Sequence, residues 1–448
     1  MDRRTFLATG AAAGAGVLRP SLPYSRSRPF GLATPSPAQL AWQQAELGLF
    51  VHFTVNTFTD REWGDGTESP SMFNPTALDA RQWARAAKAG GFRRMTLTAK
   101  HHDGFCLWPS ALTDHSVKSS PWRGGQGDVV REFVDACRAE QLGVGLYLSP
   151  WDRHEPRYGD SPRYNDYYCG QLTELLRNYG PIVEVWFDGA NGEGPNGRTQ
   201  VYDWDRYHRI IRRLQPGALI FSDAGPDIRW IGNENGVAGD PNWCAVDPAV
   251  VPYPGASGDA VTAELQHGDP RGTAWRPGES DVSIRPGWFW HAHEDAQVRS
   301  AENLLELYFS SVGRNTALLL NVPPTREGLF HPTDVQRLGA FGARRTALFA
   351  DDLARSATRK GNELWFSAPV TFDVAALAED VSRGQLVERY LLETWNGSRW
   401  ETTASGTTIG VRKLDRFAPV TTDRVRVSAF SSLGTPRLSA PALYQTPS

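Results

Sequence analysis

The sequence has few cysteines, little net charge and no long apolar run. Among 448 residues the four cysteines, Cys106, Cys137, Cys169 and Cys244, include no CxxC pair, so free buried thiols are expected rather than a zinc or redox site. The net charge of −3 gives no electrostatic basis for binding nucleic acid or an anionic membrane. No segment is long and apolar enough to span a bilayer stably. The sequence therefore predicts a soluble protein with neither nucleic acid nor membrane as its partner.

The N-terminus carries paired arginines, Arg3 and Arg4, ahead of the weakly apolar run 8–18. This order of features resembles a twin-arginine export signal, and residues 20–37 read as a linker rich in proline, serine and arginine. We expect residues 1–37 to be signal and linker, with the mature protein in the periplasm or outside the cell. The alternative is an arginine-rich disordered tail.

Strand-like and helix-like segments alternate through the middle of the chain. Predicted strands are 47–53, 94–99, 144–148, 183–187, 218–221 and 317–320; predicted helices are 81–89, 129–140, 166–178, 202–214, 296–311 and 333–349. Repeated β-then-α units favour parallel strands joined by crossover helices. The length predicts a (β/α)₈-like, TIM-type barrel over residues 38–350, somewhat irregular at 223–287.

The pattern changes after residue 350. Short strand-like runs at 363–366, 386–395, 407–411 and 424–428 are separated by turns such as 395–397. They predict a β-sandwich over residues 351–448, within the usual size of such modules. The sequence leaves open whether this domain binds glycan or only braces the barrel.

Polar residues follow the predicted barrel strands. Because the carboxyl ends of barrel strands converge on one face, these residues predict an active face and hence an enzyme. They are His52, Lys100, His101, His102, Asp103, Ser149, Trp151, Asp152, Asp188, Asp223 and Asn321. The 16 tryptophans and 13 tyrosines slightly favour a carbohydrate ligand, since sugar rings stack on aromatic faces.

Asp188 ends a buried strand immediately before the glycine-rich segment 189–194. Taken alone it is a catalytic carboxylate or a turn residue. Sugar cleavage requires a second carboxyl group, and the candidates are Glu234, Glu264, Glu279 and Asp281. Glu234 lies in a loop after Trp230 that would let a mobile segment bring an acid over a bound sugar. Adjacent histidines on an extended chain point to opposite sides, so His101 and His102 favour hydrogen bonding to hydroxyls over one shared metal ion. No metal or cofactor is predicted.

Three ordered motifs, 49–53 (LFVHF), 98–105 (TAKHHDGF) and 186–189 (WFDG), resemble glycoside hydrolase family 29, the α-L-fucosidases. The resemblance runs from about residue 42 to 348. Segments 62–70, 149–154, 221–227 and 284–288 resemble the subgroup selective for α-1,3/1,4-linked fucose. One departure is His52-Phe53-Thr54, where many members have His-Trp-Gly. The family's residues for the pocket wall near the sugar therefore do not carry over at positions 53 and 54, whereas His52 does.

The resemblance implies exo-acting hydrolysis with retention on fucosylated glycans. It assigns Asp188 as the nucleophile and Glu234 as the acid/base, with Glu279 as the fallback. The implied or candidate substrate contacts are His52, Trp63, Lys100, His101, His102, Trp186, Arg229 and Trp288. Two alternatives stay open: a fucose-binding protein that has lost catalysis, and a metal-dependent barrel hydrolase.

Overall fold

The computed structural model describes residues 32–447, so most of the predicted signal and linker lies outside the described residues. Eight parallel strands close into a barrel in the order β1-β10-β9-β6-β5-β4-β3-β2, which confirms the predicted barrel. In chain order the first ten strands are β1 Leu47–Val51, β2 Arg94–Lys100, β3 Gly143–Leu148, β4 Glu184–Trp186, β5 Leu219–Ser222, β6 Ile228–Trp230, β7 Ala245–Val246, β8 Ala274–Trp275, β9 Gly278–Ser283 and β10 Ala317–Asn321. Strands β7 and β8 form a separate antiparallel pair.

Helices surround the barrel, and their boundaries follow local sequence signals. The α-helices are α1 Pro37–Gln44, α2 Val55–Thr59, α3 Ala80–Gly90, α4 Val129–Ala139, α5 Ser161–Asn178, α6 Trp204–Leu214, α7 Asp259–His267, α8 Ala301–Ser310 and α9 Pro332–Leu348; short 3₁₀ turns lie at 70–72, 117–119, 122–125, 292–297 and 353–356. Asp79 caps α3 by accepting two backbone N–H groups, and Gly91 ends it at a φ of +83°. Within the described residues, no helix is long and apolar enough to cross a membrane.

The irregular segment at 223–287 supplies two barrel strands that the sequence did not predict, β6 and β9. No helix separates β5 from β6, and the long connection from β6 to β9 holds α7 and the β7–β8 pair. Strand β9 reads Gly-Glu-Ser-Asp-Val-Ser and is wholly buried. Its acids face partners inside the barrel, so it has none of the apolar character by which a buried strand is recognised.

The N-terminal end of the barrel is closed by a buried polar cluster. Arg94 binds Glu184 at 3.0 Å and Glu279 at 2.8 Å, and all three side chains are buried. Helix α1 lies beneath this end: the Trp42 indole contacts the Arg94 guanidinium, with the ring centroid 4.4 Å away, and its Nε1–H donates to Glu184.

The C-terminal domain, predicted as a β-sandwich, is confirmed as an antiparallel sheet domain, and its strands form one six-stranded sheet. Its strands are β11 Thr358–Lys360, β12 Glu363–Leu377, β13 Val387–Trp395, β14 Trp400–Gly406, β15 Lys413–Ser432 and β16 Ala442–Tyr444, ordered β11-β12-β15-β13-β14 with β16 beside β12. Leu364, Phe372, Val387 and Tyr390 belong to its separate apolar core. The predicted strand at 407–411 is wrong, because this turn docks on the barrel: Val411 N–H donates to Asn315 Oδ1 at 2.8 Å.

The barrel contacts of this domain lie near the end opposite the predicted active face. Glu46 immediately precedes β1 and Asn315 lies two residues before β10, so they mark the N-terminal ends of those strands. Arg412 binds Glu46 at 3.2 Å, and Lys413 binds Asp240 at 2.8 Å. The contacts described here therefore brace the barrel without entering the face at which its strands end.

Candidate active site

The residues predicted for the active face lie at the carboxyl ends of the barrel strands. His52 follows β1, the two histidines follow β2, and Asp188 follows β4 by two residues. Their side chains are nearly buried, with residue exposures of 3–5% for His52, His101, His102 and Asp188. The structure thus brings four predicted residues to one concave end of the barrel, where side chains from separate strands converge.

The Asp188 carboxylate is held in place from two sides. Its Oδ1 accepts the Ala190 backbone N–H at 2.8 Å, and its Oδ2 accepts the Tyr147 hydroxyl at 3.2 Å. His102 Nε2 lies 3.9 Å from Oδ2. Gly189 is required next to it, since a Cβ there would meet Asp223 Oδ2 at 2.3 Å. This carboxylate is therefore buried and oriented, as a nucleophile must be.

Hydrogen bonds behind the histidines fix their ring orientations. The Ser149 hydroxyl donates to Trp151 O at 2.7 Å, so it accepts from His102 Nδ1 at 2.7 Å. His52 Nδ1 donates to Asn321 Oδ1 at 2.8 Å. With Nδ1 held in this way, the orientation of each of these two rings at the end of the barrel is fixed.

The rings of the site form one aromatic cluster. The His101 and His102 centroids are 4.1 Å apart, and His52 lies 5.5 Å from His101. The expectation that the two adjacent histidines point to opposite sides is therefore wrong, because the chain turns at residues 102–103. Trp63 meets His102 edge-on at 6.2 Å, and Trp288 lies 5.2 Å from His52. Both tryptophans are partly exposed, so they flank the histidines at the mouth of the barrel.

Beneath these rings the barrel interior is filled by apolar and aromatic side chains. Trp186 is buried, stacks on Phe221 at 4.4 Å and lies 5.0 Å from both Phe50 and Tyr147. These rings form the floor of the site. The position suits the predicted apolar wall, whose contact with substrate stays a prediction.

Glu234 lies in the loop after β6, partly exposed. The Trp288 indole N–H donates to its Oε2 at 3.3 Å, and the same tryptophan borders His52. The loop therefore places a second carboxyl group at the edge of the aromatic cluster, and its role as the acid/base stays a prediction.

Lys100 does not face the site, contrary to the sequence prediction. Its ammonium is fully buried, donates to Asp152 at 2.8 Å and to Gln171 at 2.9 Å, and lies within 6 Å of three tyrosine rings of α5. His101 and Lys100 are neighbours on an extended chain, so their side chains leave on opposite sides. Lys100 therefore ties the end of β2 to β3 and α5.

Arg229 and Glu279 are also placed away from the predicted roles. The Arg229 guanidinium donates to Leu265 O at 3.1 Å, to Arg276 O and to Asn242 Oδ1, all in the connection outside the barrel. Glu279 belongs to the closed end of the barrel with Arg94, and burial raises its pKa well above the ordinary value. Neither side chain can reach a sugar at the opposite end.

Sequence reasoning missed Tyr147 and Glu62. Tyr147 donates to Asp188, and the alternation of Gly145, Tyr147 and Ser149 on one face of β3 could have indicated it. Glu62 accepts from the Trp288 backbone N–H at 2.8 Å across 226 residues of chain, and no local signal marks such a contact.

One group among the described residues could offer three metal ligands: Asp60, His291 and His293, with ligand atoms within 4.8 Å of one another. His291 donates through Nε2 to Glu62 and through Nδ1 to Asp60, each at 2.8 Å. The hydrogen bond to Glu62, with that to Asp60, outweighs burial and raises the pKa of His291 to about 9. Both ring nitrogens of His291 thus bond to carboxylates, and these contacts join Asp60, Glu62 and His291 into one polar cluster.

Comparisons with known proteins agree with this geometry. The family model described as alpha-L-fucosidase matches residues 67–344. Alpha-L-fucosidase 1 of Arabidopsis thaliana is 45% identical, covering 88% of this chain and 83% of its own. A solved glycoside hydrolase 29 family member from an unknown rumen bacterium is 42% identical, with a TM-score of 0.87 and coverage of 93% of this chain and 78% of that one.

A Ruminococcus gnavus GH29 fucosidase, solved in complex with fucose, is 30% identical, with a TM-score of 0.83 over 93% of this chain and 95% of that one. The likeness thus extends over both the barrel and the C-terminal sheet. Membership of this family implies a fucosylated glycan as the substrate. The chain belongs to the α-L-fucosidases of glycoside hydrolase family 29 and is a glycoside hydrolase.

Proposed function

We propose that the protein is an exo-acting, retaining α-L-fucosidase in which Asp188 is the nucleophile and Glu234 the acid/base. The observation that carries this proposal is the buried Asp188 carboxylate, oriented by Tyr147 and the Ala190 N–H beside His102. A second carboxyl group, Glu234, is held by Trp288 at the same end of the barrel. Two carboxyl groups flanking the scissile bond are what glycoside hydrolysis requires.

The reaction follows as a double displacement. The Asp188 carboxylate attacks the anomeric carbon of fucose and forms an ester bond as the glycosidic bond breaks, while Glu234 gives its proton to the departing oxygen. Glu234, now ionised, takes a proton from water, whose oxygen attacks the same carbon and releases fucose and Asp188.

His52, His101 and His102 are proposed to hydrogen-bond the fucose hydroxyls. Support comes from the position of these histidines after β1 and β2 and from the ring orientations that Asn321 and Ser149 set. The solved R. gnavus relative is a fucose complex, in keeping with a fucose site in this fold. Trp63, Trp186 and Trp288 supply apolar faces for the ring and its methyl group.

Two substitutions test the catalytic roles. Asp188→Ala is expected to abolish turnover of all fucosides while leaving the folded protein intact. Glu234→Ala is expected to lower kcat on a fucosylated oligosaccharide by about 10²- to 10⁴-fold, but less on a nitrophenyl fucoside, which needs little protonation to leave. Azide should restore activity to Glu234→Ala because it replaces water without needing a general base.

The matched control is Glu264→Ala, because Glu264 is a half-buried acid on α7 whose side chain accepts the Asp247 backbone N–H outside the barrel. NMR of the first-formed sugar should show retention of the α configuration. An inverted product, or full activity of Asp188→Ala, contradicts the proposal. Undiminished activity in a strong chelator removes the metal-dependent alternative, and no hydrolysis of any fucoside supports a binding protein instead.

The finer specificity proposed is for α-1,3/1,4-linked fucose, on the resemblance of segments 62–70, 149–154, 221–227 and 284–288. Hydrolysis of a Lewis-type oligosaccharide is expected to exceed that of an α-1,2-linked fucoside, as kcat/KM, and the reverse order overturns it. Export through the twin-arginine pathway is proposed from Arg3 and Arg4. Replacing both arginines with lysine should retain the protein in the cytoplasm, and unchanged export refutes this route.

A further inference from the structure

We propose that Glu62 and His291 are positioning residues that hold the Trp288 backbone, so that its indole fixes Glu234 for proton transfer. This inference rests on the proposed role of Glu234 as the acid/base. Neither residue touches the reacting atoms, and both lie on loops distant in sequence from Glu234.

Glu62 binds the backbone of the loop that carries Trp288. Glu62 Oε2 accepts the Trp288 backbone N–H at 2.8 Å, and Oε1 accepts that of Phe289 at 3.1 Å. The fit is close, because a Cβ on Gly287 would meet Glu62 Oε1 at 2.4 Å. Two hydrogen bonds from adjacent N–H groups to one carboxylate fix both the position and the rotation of that peptide segment.

Charged hydrogen bonds from His291 hold the Glu62 carboxylate in place. His291 Nε2 donates to Glu62 and its Nδ1 to Asp60, so one imidazolium bridges two carboxylates. Glu294 and His293 lie near His291, and Arg326 lies 3.9 Å from Asp60. The charged hydrogen bonds join loop 60–62 to loop 287–291.

Trp288, held in this way, contacts groups on both sides of the site. Its indole N–H donates to Glu234 Oε2 at 3.3 Å. Its backbone oxygen accepts from Asn321 Nδ2 at 2.8 Å, and Asn321 Oδ1 accepts from His52. One anchored residue therefore sets the acid/base on one side and a sugar-contacting histidine on the other.

The test compares leaving groups. Glu62→Ala is expected to lower kcat on a fucosylated oligosaccharide roughly 10- to 100-fold, since small displacements of a catalytic group have such effects. On a nitrophenyl fucoside the loss should be several-fold smaller, with KM little changed. Glu62→Gln should recover part of the loss because its amide oxygen still accepts a backbone N–H. Glu302→Ala, an exposed acid on α8 outside this cluster, serves as the control and should leave both rates unchanged.

A double-mutant cycle with Trp288→Phe, which removes the indole N–H, separates positioning from general damage. If Glu62 acts through the indole, its leaving-group dependence disappears in the Trp288→Phe background. Equal losses on both substrates, or additive effects in the cycle, overturn the inference. If Glu234→Ala itself shows no leaving-group dependence and no azide rescue, the proposed function has failed. If Glu234→Ala shows both but the loss in Glu62→Ala does not depend on the leaving group, only the positioning role has failed.

Discussion

Asp103, the residue after the tandem histidines, has a pKa well above the ordinary value of a carboxyl group. It is fully buried; Oδ2 accepts from the Thr54 hydroxyl at 2.9 Å and Oδ1 from the Phe105 N–H at 2.7 Å. Burial, with lesser contributions from the Glu68 and Asp152 charges, outweighs these bonds and raises the pKa of Asp103 to about 7. The carboxyl group is thus protonated in the folded protein at pH values where the unfolded chain is ionised.

This difference predicts a pH dependence of stability. Because the folded pKa is above the unfolded value of 3.8, the contribution of Asp103 is complete below about pH 4 and is lost as pH rises through 7. The loss is about 4 kcal/mol at most. Denaturant unfolding of the wild type and Asp103→Asn at pH 5 and pH 8 isolates this group. Relative to the wild type, the variant is expected to have a higher free energy of unfolding at pH 8 than at pH 5. A difference between the two proteins that is the same at both pH values would contradict the raised pKa.

At the level of elements, the Lys100–Asp152 pair joins the ends of β2 and β3 inside the protein. Burial alone raises the pKa of Asp152, yet the Lys100 charge and hydrogen bond, with two backbone N–H groups, bring it below its ordinary value. Both partners are buried, so removing one leaves an uncompensated charge. The pair therefore holds the strand end from which the tandem histidines project.

Lys100→Met is expected to lower the free energy of unfolding by about 3–5 kcal/mol, since it strands the Asp152 carboxylate. Urea denaturation measures this, with the exposed Lys88→Met on α3 as a control that changes stability by about 0.5 kcal/mol or less. If Lys100 contacted the sugar, Lys100→Met would raise KM and leave the free energy of unfolding unchanged. That outcome would contradict the buried, structural role of Lys100.

For the whole molecule, a buried glutamine links the barrel to the C-terminal sheet. Gln385 accepts the Cys244 N–H at 2.9 Å and donates to Asn242 O at 2.9 Å. Asn315, at the N-terminal end of β10, donates to the same side-chain oxygen at 3.3 Å. The interface thus depends on satisfied polar groups far from the active face.

Gln385→Leu is expected to lower the free energy of unfolding by about 1–3 kcal/mol, because it removes the acceptor of the buried Cys244 N–H and one of the donors to Asn242 O. The kcat/KM for a nitrophenyl fucoside at a permissive temperature should stay unchanged. Calorimetry and steady-state kinetics measure the two effects, and the exposed Gln336→Leu on α9 is the control. A large loss of kcat/KM with unchanged stability would show that the sheet influences the site directly.

The predictable part of the fold was the part with local signals. Strands such as 183–187 are apolar runs that end in polar or glycine residues, and helix ends carry caps such as Asp79. Strand β9 could not be recognised, because Glu279 and Asp281 are buried acids satisfied by Arg94, Trp186 and Trp230 from other strands. All four cysteines are free and buried, as predicted from their spacing.

The sequence by itself determined the barrel and its C-terminal sheet, and it identified Asp188 and the histidines at strand ends. Hydrophobic periodicity and the residues that end strands are local features, so they can be recognised in the sequence alone. Only the tertiary structure decided which side chains face that end. Lys100 and Arg229 turn outward, Glu279 lies at the closed end, and Glu62 reaches Trp288 across 226 residues. Such contacts depend on packing between elements far apart in the chain, which no local pattern encodes.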